Sequence, residues 1–108
     1  MLKGTIIENS LRDTSILDQV KIEKTWRDGD WILHNVLVDE DTALNVGQYL
    51  SDGSWYIHFW ESGKDNVLVV FKDRVFRIKY SDKTTWVDAV KHGRSIGIPD
   101  EQLDFQIE

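Results

Sequence analysis

Apolar and polar residues alternate on both sides of Asp28-Gly29, from Val20 to Asp39, which is the pattern of an antiparallel hairpin. Asp-Gly suits a type I′ turn, because both of its central residues need positive φ. With 28 and 29 at the tip, Trp26 is expected opposite Trp31, Lys24 opposite Leu33, Glu23 opposite His34 and Ile22 opposite Asn35. One face then carries Val20, Ile22, Trp26, Trp31, Leu33 and Leu37 and is predicted to be the core face. The other face mixes Lys21, Glu23, Thr25 and Arg27 with Ile32, His34, Val36 and Val38.

The pattern predicts the remaining elements with different sharpness. "KGTIIENSL" reads as a first strand rich in β-branched residues, and "DTSILDQV" as one helical turn capped by Asp13 or Thr14. "DEDTALNVGQYLSDG" reads as a helix capped by Asp39 or Asp41, with Ala43, Val46 and Leu50 on one stripe. "SWYIHFWE", "NVLVVFK" and "RVFRIKY" read as a three-stranded meander. A second helix begins at Ser81 or Asp82 and presents Trp86, Ala89, Val90 and Gly93, and the last segment packs Leu103 and Phe105. This order predicts an α+β fold spanning 1–108 as a single domain, with a mostly antiparallel sheet of five to six strands and two helices packed mainly on one face.

The stretch 54–63 changes that picture. The loop 62–65 has four residues, which sets Trp60 opposite Val67, His58 opposite Val69 and Tyr56 opposite Phe71. Trp55, Ile57 and Phe59 then join Leu68 and Val70 on the other side, so this strand is apolar on both faces. Its second face is greasy at the centre and charged at its margins, the layout of an interface or a ligand groove. The expected binding residues are therefore Glu23, Ile32, His34, Ile57, His58, Phe59, Trp60 and Val70.

Composition narrows the chemistry. The 108 residues include five Trp and no Cys, which removes disulfides, thiolate catalysis and Cys-based metal sites. A formal charge of −6 argues against nucleic acid, because neutralising phosphates needs surplus Lys and Arg. No apolar run approaches the roughly 20 residues that cross a bilayer, so no membrane partner is expected and the expected location is cytoplasmic. His34, His58 and His92 stand at no metal-binding spacing, and no phosphate-binding or nucleophile-elbow motif occurs, so no metal and no cofactor is expected.

These residues point first to a non-enzymatic binding or interaction domain, its aromatic sheet face meeting a second copy or another protein. The alternative is a small enzyme or small-molecule-binding protein with a sheet–helix pocket served by His34, His58 and Glu23.

Overall fold

Strand β1 (Leu2–Ile7) comes first in the chain but lies in the middle of the sheet. The computed structural model describes residues 1–107, and their sheet has six strands. The others are β2 (Lys21–Asp28), β3 (Trp31–Val38), β4 (Tyr56–Trp60), β5 (Asn66–Phe71) and β6 (Val75–Lys79). Their order is β2-β3-β1-β4-β5-β6, and every neighbouring pair is antiparallel. The α+β class and the strand number agree with the sequence pattern. No helix among the described residues is long and apolar enough to cross a membrane.

Helix α1 (Glu40–Asn45) starts where the Asp39 carboxylate accepts the Thr42 backbone N–H at 2.7 Å, and it tightens into a 3₁₀ turn over Val46–Tyr49. Helix α2 (Val87–Ser95) continues a 3₁₀ turn, Lys83–Trp86, whose cap is the Asp82 carboxylate. A further 3₁₀ turn, Thr14–Gln19, is capped by Asp13.

The two helices do not share a face, contrary to expectation. Ala43 and Val46 pack with Leu11, Ile16 and Leu50 against Ile6, Val36, Ile57, Phe59, Leu68 and Val70. Trp86 and Ala89 pack with Leu103 and Phe105 against the opposite side, on Trp60, Val67, Val69, Phe71 and Ile78. β5 is consequently buried on both sides, as its unbroken apolar run requires.

The expected β4–β5 register is the observed one, with Trp60 opposite Val67 and Tyr56 opposite Phe71. The first hairpin differs. Gly29 and Asp30 form its tip, and only Gly29 has positive φ (60°), the type II′ arrangement. Trp26 therefore faces Leu33, and Thr25 faces His34. A bulge between Ile22 and Lys24 pushes Glu23 out of register, so Ile22 pairs with Val36 and lies on the opposite face from Trp26. In the β5–β6 hairpin Val69 faces Phe76 and Val67 faces Ile78.

The two faces of the first hairpin exchange their expected roles. Val36 and Val38 are buried core, whereas Trp31, assigned to the core face, is 41% exposed. The cause lies in where the covering segments land. The Thr14–Gln19 turn and α1 cover one face of the sheet, while α2 and the C-terminal segment pack on β4 to β6 on the other. The half of that second face built by β1, β3 and β2 stays partly open: Thr5, Ile7, Leu33 and Leu37 are half-buried and Trp31 is exposed.

Candidate functional site

The open half-face meets the C-terminal segment along a groove of about 330 Å³. Ile7, Trp31 and Leu33 form one wall; Trp55, Tyr56 and His58 form the other. Alternation puts these residues together: Ile7 pairs with Leu33 across β1 and β3, and Tyr56 and His58 occupy alternate positions of β4. Trp31 and Trp55 touch edge to face, with ring centroids 5.8 Å apart and planes at 61°.

His58 lies between Tyr56 and Trp60, at centroid distances of 6.2 and 5.4 Å, with Phe105 edge-on. Its Nε2 is 2.7 Å from the Gln106 carbonyl, which can only accept, so Nε2 carries the proton. Burial pushes the His58 pKa below its ordinary value, against the raising influence of that carbonyl and of Asp104. The ring is therefore neutral, and its Nδ1 is an acceptor. The Tyr56 hydroxyl donates to the Gln102 carbonyl, and burial, helped by Asp104, pushes its pKa up to about 12. Both polar groups tie the C-terminal segment to β4 and hold the groove's far wall in place.

His34 is not part of this groove. It pairs with Ile6 on the opposite face and is 6% exposed, with Nδ1 2.8 Å from the Thr25 hydroxyl and Nε2 2.9 Å from Glu8 Oε1. The expected Glu23–His34 pair does not form, because the bulge displaces Glu23 and the turn after β1 supplies Glu8 instead. Glu23, exposed, borders a separate hollow of about 280 Å³ beside Trp60 and Gln106. The alternative pocket served jointly by His34, His58 and Glu23 is thus not assembled: the two imidazoles lie on opposite sides of the sheet.

Ile57, Phe59 and Val70 are buried under α1 and its continuation, not on an open face. Trp60 is buried in the other core layer, and its Nε1 is the one sealed side-chain nitrogen or oxygen without a partner among the described residues. Ile32 is half-buried beside the hairpin tip, where its N–H donates to Asn9 Oδ1 at 3.0 Å. Among the expected site residues, the groove gathers His58 and an edge of Ile57.

Sequence reasoning placed Trp31 in the core and gave no role to Glu8 or Gln102. The doublet Ser54-Trp55 beside a strand already apolar on both faces was the available signal for the groove. A charged hollow of about 310 Å³ on the other side of the sheet is bordered by Glu40 and Arg77, which already pair at 2.9 Å. Among the described residues, no group of three or more His, Asp or Glu is placed to hold a metal ion. Compared with known proteins, the chain matches no family model, no curated protein and no solved structure.

Proposed function

We propose that this chain is a non-catalytic binding domain, and that its aromatic groove receives a small apolar ligand. The observation that carries the reading is Trp31: a tryptophan 41% exposed, held edge to face by Trp55 at the mouth of a concave, largely apolar site. Large apolar surface left wet costs about 25 cal/mol per Å², so a ligand that covers it gains that term. The volume falls at the small end of the roughly 300–1,000 Å³ range of ligand sites. His34, the most deeply buried histidine, has both ring nitrogens engaged by the protein itself, which suits a structural role better than proton transfer. On this reading the domain works in the cytoplasm.

The test is a fragment screen by ligand-observed NMR on the wild type and on Trp31→Ala. Aromatic hits that disappear in the variant support the groove; hits that persist unchanged overturn it. A second reading, in which another copy or a different protein lies across the open half-face, is favoured by the continuation of apolar surface from Trp31 to Trp26 and Leu37. Sedimentation distinguishes the two: a dimer that Trp31→Glu dissociates supports this second reading.

A further inference from the structure

The groove's chemistry goes beyond apolar fit, and the inference that follows rests on the reading of the groove as a ligand site. His58 Nε2 is committed to the Gln106 carbonyl, which leaves Nδ1 as the ring's only remaining polar atom. Nδ1 takes no hydrogen bond from the described residues, and it is not sealed away, since the only sealed side-chain nitrogen or oxygen without a partner among them is Trp60 Nε1. His58 is part of the lining of the aromatic groove.

We propose that the groove binds a small planar aromatic ring bearing an N–H or O–H group, which donates its hydrogen bond to His58 Nδ1. The ring rests against Trp31, Trp55 and Leu33, and the donor selects the ligand's orientation. The lowered pKa of His58 agrees with this arrangement, because a protonated ring would present a second donor where the ligand needs an acceptor. The Thr5 and Ser54 hydroxyls at the border already donate, to Asn35 Oδ1 at 2.9 Å and to the Ile96 carbonyl at 2.8 Å, so neither has a proton left to offer the ligand. His58 Nδ1 is thus an acceptor that the fold leaves open on the aromatic strand of this wall.

The test pairs two probes of nearly equal shape, indole and benzofuran, in which an oxygen replaces the N–H. Both are titrated into ¹⁵N-labelled protein while the Trp31 and Trp55 indole signals are followed. Indole is expected to bind about tenfold more tightly than benzofuran, the value of one net hydrogen bond near 1.4 kcal/mol. In His58→Phe, which keeps the stacked ring and removes the acceptor, that ratio is expected to fall to about one. Equal affinities for the wild type overturn the role of His58 while leaving the aromatic groove intact. Failure of both probes to move either tryptophan signal overturns the groove itself. The wild-type comparison decides the matter even where the variant does not fold.

Discussion

His34 and Glu8 are joined at 2.9 Å through Nε2 and Oε1, so the turn after β1 is tied to the inner face of β3. Removing the carboxylate leaves a buried imidazole nitrogen without its partner. Glu8→Ala is expected to cost about 1 kcal/mol, the low end for an orphaned buried group, because the Glu8 side chain is itself partly wet. Glu8→Gln, whose amide oxygen still accepts, is expected to lose less. Urea unfolding midpoints of the two variants check the order; an alanine variant as stable as the wild type would show that water replaces the carboxylate.

Phe59, fully enclosed beneath α1 and its continuation, is the reference point for the core. Phe59→Ala is expected to lose about 3–5 kcal/mol and Phe59→Lys to fail to fold, because the ammonium has no mate inside. Trp31→Ala, of comparable size but half-open, is expected to lose less than about 1.5 kcal/mol. A folded Phe59→Lys protein by circular dichroism would contradict the enclosure of Phe59 beneath α1.

How far the sequence could be read is visible in these same residues. The loop 62–65 settled the β4–β5 register because a four-residue connection between apolar runs leaves little freedom, and Asp13, Asp39 and Asp82 were legible as caps. The helix stripes were legible for the same local reason: Ala43, Val46, Leu50, Trp86 and Ala89 are all buried. The bulge at Glu23 was not, since nothing local separates it from a regular strand. Nor was the choice of which hairpin face is covered. Alternation marks an apolar side, but which side is filled depends on where α1, α2 and the C-terminal segment land, tens of residues away. His34 shows the same limit, its partner lying 26 positions upstream.

The neutral state of His58 makes stability depend on pH. Its folded pKa is depressed by burial below the ordinary 6.5. The unfolded chain therefore takes up a proton first as pH falls, and the contribution of His58 is complete above about pH 6.5 and is lost as pH drops through the folded value. The wild-type urea midpoint is expected to fall between about pH 7.5 and 5 more than that of His58→Phe. Parallel curves for the two proteins would show that His58 titrates normally.

Two glycines test different constraints. At Gly29 a Cβ meets nothing within 4 Å, but φ is +60°, so Gly29→Ala should cost about 1 kcal/mol through backbone strain alone. At Gly47 a Cβ would run into the Phe71 carbonyl oxygen, a backbone atom that cannot swing aside. Gly47→Ala is expected to be the more damaging, by about 1–3 kcal/mol as for overpacking. Thermal melts of the pair rank them; the reverse order would place the strain at the turn.

The sheet is held together unevenly. β1 matches β3 over six residue pairs but meets β4 over only two, Lys3 with Trp60 and Gly4 with Phe59. Mechanically the molecule is two three-stranded plates stitched along a short seam, and the aromatic groove lies across the stitching, with Ile7 and Leu33 on one plate and Tyr56 and His58 on the other. A molecule lodged there acts as a rivet. Its first effect would be felt in slower hydrogen exchange at the amides of Lys3, Gly4, Phe59 and Trp60, where the plates would otherwise part.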